Sequence, residues 1–319
     1  MGQQPKKLII DTDPGIDDAM AICAAFNSPE VEVIGLTTIF GNVRTPTATS
    51  NAFILLKLAG KEQIPVAEGA SSTLSGLSKT RVADFVHGTD GFGNTSQAAV
   101  QGLRHEKNAA QFIVDMCTRF PGEIHILALG PLTNIALACQ LDDKLGQSLA
   151  SLVILGGAIT INGNVNPAAE ANIFGDPAAA DYVFGRPLPT YLVPLDVTTQ
   201  CKLSGTELTA MNGCGAYGSF LASITHFYLE YHRRVMGIDA VYLHDPTAFA
   251  AVILPDLFTW SRARLRVLTE GIGAGMTIAD VGDKKWNSPN AWSERPIVQV
   301  ALNVDPEGVR PAILERMLR

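Results

Sequence analysis

Leu8-Ile9-Ile10-Asp11-Thr12-Asp13-Pro14-Gly15-Ile16-Asp17-Asp18-Ala19 decides how the rest of this 319-residue chain is read. Leu8 to Ile10 is apolar but too short for a helix, so it reads as a buried strand. Asp11 to Gly15 is turn-forming, with Pro14 and Gly15 letting the chain bend sharply. Asp17 to Asn27 then has good helix formers at apolar spacing, and Val31 to Phe40 is rich in β-branched residues. Strand, turn, helix, strand is a βαβ unit, which implies a parallel sheet. Four carboxylates, Asp11, Asp13, Asp17 and Asp18, fall within eight residues at the end of that strand. Like charges so close repel and raise some pKa values. A divalent cation would relieve the repulsion, and hard carboxylate oxygens favour calcium or magnesium over zinc. Asp17 and Asp18 also open a helix, where the dipole favours anions. The alternative is an ordinary acidic cap on a solvated turn.

The alternation continues beyond this unit. Helices are expected over 46–59, 107–119, 132–140, 176–184 and 306–318, and strands over 64–67, 123–129, 152–155, 190–195, 265–268 and 297–304. Residues 71–94 and 159–175 are expected as loops, and 204–254 as mostly helical. No repeat, low-complexity tract or linker interrupts the chain. One α/β domain spanning 1–319 is therefore expected, an open, mostly parallel sheet flanked by helices. Asp11, Asp13, Asn42, Gly130, Gly156 and Asp196 all follow expected strands. In open α/β sheets the ligand crevice lies at the carboxyl ends of the strands, so a site built from several distant loops is expected there.

Composition narrows the function. The chain is 47% hydrophobic and 17% charged, which suits a compact body rather than disorder. A net charge of -7 without a basic run argues against nucleic acid or an anionic membrane as the main partner. No apolar run reaches about 18 residues without polar interruption. Met1 to Lys7 lacks the layout of a signal peptide. Cys23, Cys117, Cys139, Cys201 and Cys214 are dispersed and form no C-x-x-C pair. A thiolate zinc site is not expected, and a reducing, cytoplasmic setting is.

Two other acidic motifs share letters with the opening stretch. A calcium-binding EF-hand loop needs glycine at its sixth position and glutamate at its twelfth, where this chain has Ile16 and Ile22. Haloacid-dehalogenase-type phosphatases carry D-x-D after a first strand, then threonine or valine two residues on, where Gly15 stands here. Gly175-Asp176 with Asp181 does resemble their later acidic motif, so that family stays as the alternative enzyme reading.

The stretch from Leu8 to Ala19 resembles the opening of the inosine-uridine-preferring nucleoside hydrolases, whose fingerprint is an apolar strand followed by D-x-D-P-G-x-D-D-A. Thr37-Thr38-Ile39-Phe40-Gly41-Asn42 and Leu129-Gly130-Pro131-Leu132-Thr133-Asn134 resemble the next blocks. Gly156-Gly157, Gly163-Asn164, Glu170-Ala171-Asn172, Asp176-Pro177 and His244-Asp245-Pro246 follow in the family's order. The resemblance implies hydrolysis of the bond between a base and its ribose, with calcium as cofactor. It implies that Asp13, Asp18, Asp245 and the Leu129 carbonyl bind the metal. Asp13 would double as the base that deprotonates water, and Asp11 would support the metal site from behind. Asp17, Asn42, Asn164, Glu170 and Asn172 would hold the ribose hydroxyls, and His244 would lie near the base as a catalytic group. His87 matches a loop position near the substrate mouth.

Physical chemistry suits this assignment. N-glycosidic cleavage builds positive charge on the ribose, which acidic and amide side chains stabilise more than they stabilise the neutral ground state. Base preference falls to the 70–95 loop and to Tyr228 to His244, where Tyr231, Asp239 and Tyr242 are either base contacts or packing and surface charge. His105, His125, His226 and His232 read as structural. Asp239 to Thr247, with Lys285-Trp286-Asn287, resembles the plant-type uridine and purine nucleosidases, which implies uridine, inosine or xanthosine as substrates. Family members imply a homodimer or homotetramer. A module that binds a nucleoside or ribose without cleaving it is the non-enzyme alternative.

Overall fold

In a computed structural model of the chain, which describes residues 4–78, 82–282 and 284–319, the acidic stretch begins at the end of a central strand. That strand, β1 (Lys6–Thr12), is buried from Leu8 onward. It has a parallel neighbour on each side, β2 (Val31–Thr38) and β4 (Ile124–Ala128). Between them in sequence lies β3 (Val66–Glu68), parallel to β2 at one edge. Then come β5 (Leu149–Leu155), β6 (Thr190–Val193), β7 (Lys202–Ser204), β8 (Ala240–Tyr242), β9 (Phe258–Val267), β10 (Thr277–Val281) and β11 (Val298–Val304). Among the described residues the main sheet has nine strands in the order β10-β9-β11-β6-β5-β4-β1-β2-β3. Only β9 runs against the others. β7 and β8 form a separate antiparallel pair.

The chain moves outward from β1 through β2 to β3, then returns to β1's other side and proceeds through β4, β5 and β6. The direction of winding therefore reverses between β1 and β4. Loops leaving two such strands diverge and open a crevice at their carboxyl ends. The end of β1 leads to Asp13, and the end of β4 leads to Leu129.

Side chains alternate across the sheet, so each face has its own core. Leu8, Ile10, Leu127 and Leu129 point to one face, where the helices Ile16–Phe26, Gly215–Tyr231, His244–Ile253 and Pro306–Leu318 cover them. Ile9, Ile124, Ile126 and Ala128 point to the other, under Ala109–Arg119, Thr133–Leu141 and Pro177–Phe184. Every residue of Ile16–Phe26 is buried, Asp17 and Asp18 included. A helix enclosed on all sides is ordinarily apolar throughout. The two aspartates are the exceptions at its first turn.

Several local expectations change. The 71–94 loop contains a one-turn helix, Asp84–His87, and its residues 79–81 lie outside the described residues, as do residues 1–3 of the polar start. The 159–175 loop closes with the short helix Ala171–Gly175. Residues 204–254 are mostly helical, as expected, but β8 pairs with β7 there, an exchange set by tertiary contact rather than local pattern. The expected strand at 265–268 is the end of the ten-residue β9. β10, expected nowhere, is a mostly half-exposed edge with little apolar signal. No described helix is long and apolar enough to cross a membrane. All five cysteines are unpaired.

Asp181 ties the reversed edge to the rest. Its carboxylate accepts from Arg266 Nε at 2.9 Å, Val267 N at 2.9 Å and Arg295 Nη2 at 2.6 Å. Burial alone would raise its pKa, but these donors outweigh burial and hold the carboxyl below its usual range. A carboxyl with a depressed folded-state pKa contributes stability above its unfolded pKa of about 3.9 and loses it as pH falls through the lower folded value. Asp181→Asn is expected to lower stability by about 2 kcal/mol at pH 7. In urea titrations the gap to the parent protein should narrow as pH drops below about 4.

Candidate active site

β1 carries Asp11 into the interior and the following turn carries Asp13. Asp11 is fully buried, and its Oδ1 accepts from Thr37 Oγ1 at 2.6 Å and Asn134 Nδ2 at 2.8 Å. Its Oδ2 is buried without a hydrogen-bond partner. Burial pushes this carboxyl up to about 7. Asp13 is also fully buried, and its Oδ2 accepts from Asn42 N at 2.5 Å. The backbone crowds this carboxylate on both sides. A Cβ on Gly41 would stand 1.7 Å from Asp13 Oδ2, and one on Gly130 would stand 2.7 Å from Oδ1. Glycine at these two positions is what leaves space for the side chain.

Gly15 caps the next helix, and Asp18, three residues on, reaches back to accept from Gly15 N at 2.9 Å. This is one half of a capping box. Thr12 Oγ1 at 2.5 Å and Asn42 Nδ2 at 3.0 Å also donate to Asp18. Asp245 arrives from the far end of the chain, in the first turn of His244–Ile253. It does not cap that helix. Instead it shares a hydrogen bond with Asp18. Oxygens of Asp17, Asp18 and Asp245 all lie within 4.8 Å of one another.

The electrostatics of this group are severe. Burial raises the pKa of Asp17, Asp18 and Asp245; neighbouring carboxylates raise Asp17 and Asp245 further, while hydrogen bonds with Thr12, Gly15, Asp245 and Asn42 partly offset burial at Asp18. Asp17 reaches about 8, with Asp18 as the next influence after burial. On Asp245 the strongest charges after burial are Asp17, Asp18 and Asp13. Like charges in a medium of low dielectric cannot all ionise unless something positive joins them. Asp17 Oδ1, like Asp11 Oδ2, is a buried acceptor without a hydrogen-bond donor. An all-oxygen donor set with unfilled acceptors fits a hard divalent cation.

The other expected ligands gather around these acids to different degrees. Leu129 N donates to Asp11 O at 2.8 Å, which brings the end of β4 to the site. Leu129 O accepts from Asn172 Nδ2 at 2.6 Å and keeps a second lone pair. Asn42 spans Asp13 and Asp18. Glu170 is buried at the N-cap of Ala171–Gly175, accepting from Asn172 N, Ile173 N and Gly157 N at 2.8 to 3.0 Å, and its charge reaches Asp17. Asn164 stands exposed at the edge of this group, its Oδ1 accepting from Ala171 N at 2.9 Å.

Beside the acids stands a wall of histidine and tyrosine. His87 is buried and stacks on Tyr228 at 5.6 Å between centroids, and Tyr228 meets His232 at 4.4 Å. Tyr242 lies 5.3 Å from His232 and 5.4 Å from His244. Tyr231 packs against His232 and Phe85. His87 Nδ1 is 3.9 Å from Asp17 Oδ1, yet this is not an ion pair. That nitrogen accepts from Ile16 N at 3.1 Å, and burial, with His232 and His244 nearby, lowers the ring to about 3. Burial, then His232, lowers His244 to about 3 as well. Asp239 faces solvent, paired with Arg233 at 2.7 Å rather than turned to this wall.

Sequence reasoning missed the supports. Thr12, Thr37, Asn134 and Thr198 each donate or accept at a site residue, and an isolated threonine carries no signal of that. His232, expected as structural, is part of the wall, and its place one helical turn after Tyr228 is the only hint. Asp196, after an expected strand, and Asp176, at the expected start of a helix, hold loops instead: Asp196 accepts from Ile159 N and Thr160 N at 2.8 Å, and Asp176 from Leu74 N at 2.6 Å and Thr133 Oγ1 at 2.7 Å. With Asp181 engaged by Arg266 and Arg295, the phosphatase-like pair does not join the acidic group.

Comparison with known proteins agrees with this geometry. The sequence model described as "Inosine-uridine preferring nucleoside hydrolase" matches residues 8–310. Uridine nucleosidase 1 of Arabidopsis thaliana is 48% identical over 315 residues, covering 98% of this chain and 94% of that protein. The solved structure of a plant nucleoside hydrolase superposes with a TM-score of 0.97 at 47% identity, covering 98% of this chain and 99% of the other. A purine-preferring ribonucleoside hydrolase from Gardnerella vaginalis superposes at 0.90 with 33% identity, over 98% of both chains. The chain is a ribonucleoside hydrolase and belongs to the inosine-uridine preferring nucleoside hydrolase family.

Proposed function

We propose that the chain hydrolyses uridine, inosine and xanthosine to ribose and free base, with calcium held by Asp13, Asp18, Asp245 and the Leu129 carbonyl. The observation that carries the reading is the meeting of Asp17, Asp18 and Asp245, buried and mutually repelling, beside Asp13. When bound, calcium lets these carboxylates stay ionised together and gives water and vicinal hydroxyls a common anchor.

The chain's own residues do the rest. Asp13, fixed by Asn42 N and by the two flanking glycines, takes the proton from the attacking water. Asp11, fixed by Thr37 and Asn134, supports the metal site from behind. Asp17, Asn42, Asn164, Glu170 and Asn172 hold the ribose hydroxyls, and their negative and amide oxygens stabilise the positive charge that grows on the sugar. His244, with His87 and Tyr242, meets the departing base. Rings lowered to about 3 are neutral at pH 7, so they act on the base by donating N–H hydrogen bonds. Uridine is the first candidate, because it is named in the Arabidopsis relative.

The direct test is release of reducing sugar from uridine, inosine and xanthosine in calcium buffer. Chelator should abolish it, and Asp13→Ala should lower kcat by about 10²–10⁴. Nucleoside recovered intact but bound would favour a binding module instead. Calcium at about a hundred times its Kd should raise the thermal midpoint by roughly 4 °C, and Asp245→Asn should remove that rise. Gly41→Ala, which ligates nothing, should displace Asp13 and lose most of both the activity and the calcium-dependent rise.

A further inference from the structure

Thr198 ends the short helix Leu195–Thr198, directly after β6. Asp196 in the same helix clasps Ile159 and Thr160, so the helix cannot drift. The Thr198 side chain is fully buried. Among the described residues its hydroxyl has a single hydrogen-bond partner, His244 Nδ1, at 2.7 Å. A hydroxyl carries one proton that must be donated somewhere, and burial removes water as a recipient. Among the described residues the only acceptor it meets is the imidazole nitrogen. His244 Nδ1 is therefore the acceptor, and the ring's own proton sits on Nε2, on the edge turned away from Thr198.

We propose that Thr198 is a positioning residue that fixes the tautomer and orientation of His244, so that the histidine presents an N–H rather than a lone pair to the departing base. The inference rests on the reading of His244 as the group that meets the base. Oxygen and nitrogen atoms of a leaving nucleobase gain electron density as the glycosidic bond breaks. An N–H donor stabilises that density, whereas the other tautomer would place a lone pair against it. His87 is held in the same tautomer by a different donor, Ile16 N at 3.1 Å. His232 is held in the opposite one, because its Nδ1 at 2.9 Å from Tyr228 O can only be the donor there. Each of the three rings thus has its proton assigned by a partner fixed in the fold.

The test uses Thr198→Val, which keeps the shape and removes the hydroxyl, and Thr198→Ser, which keeps the hydroxyl. Each purified protein, in calcium, is assayed on uridine and on p-nitrophenyl β-D-ribofuranoside, whose phenolate leaves without help. Thr198→Val should lower kcat on uridine about tenfold with KM and the nitrophenyl rate within about twofold of the parent. Thr198→Ser should stay within about twofold on both substrates. Long-range proton–nitrogen spectra of the histidine rings, with His244 identified by its loss in His244→Gln, should show the Nε2–H form in the parent and Thr198→Ser, and a mixture in Thr198→Val. A parent His244 protonated on Nδ1, an unchanged uridine rate in Thr198→Val, or an equal fall on both substrates would overturn the proposal. The spectra report the tautomer even if no nucleoside is cleaved, so a failure of the hydrolase reading is distinguishable from a failure of this one.

Discussion

Mutual repulsion among buried carboxylates is the constraint on which the site depends. Asp17, Asp18 and Asp245 are brought together where water cannot screen them, and Asp13 adds its charge from the next turn. Burying such a group without a counter-charge is unfavourable by several kcal/mol per ion. The fold tolerates it because a large two-faced core surrounds it and because neutral donors meet Asp11, Asp13 and Asp18. The strain is local, and the neighbouring glycines, threonines and asparagines exist to hold it in one geometry.

Those supports show how function spreads past the residues that touch substrate. Thr37 and Asn134 orient Asp11, Thr12 and Gly15 orient Asp18, and Asn42 serves two acids at once. Such neutral donors satisfy carboxylate oxygens without neutralising their charge. An arginine in the same places would quench the charge and remove the reason for a cation to bind. Where the fold needs only a firm joint, at Asp181, it does use two arginines. The contrast separates a structural carboxylate from a functional one by the charge of its partners.

Much of this was legible from the chain alone, for identifiable reasons. β1 and its helix were readable because a short apolar run, a Pro-Gly turn and a helical stretch follow in direct succession, each with its own periodicity. The acidic character of the site was readable because four aspartates stand side by side. That Asp245 joins them was not, since nothing in local spacing reports a partner so distant, and only the family likeness supplied it. β8 and β10 escaped notice because three residues make no pattern and a half-exposed edge strand is barely apolar. The aromatic wall was only partly visible: His87 and His244 came from the likeness, while His232 looked like ordinary packing.

The meeting of Asp18 with Asp245 also bears on how the molecule comes to be folded. One acid belongs to the first βα unit and the other to a helix near the end, so closing that contact spans most of the polypeptide. Contacts of such high sequence separation form late, because the entropy of the intervening loop opposes them until other structure has shortened it. Until then Asp17 and Asp18 are ordinary hydrated side chains at a helix start, free of the repulsion that their burial creates. The electrostatic penalty thus arises only when His244–Ile253 docks, and the same docking completes the core that offsets it.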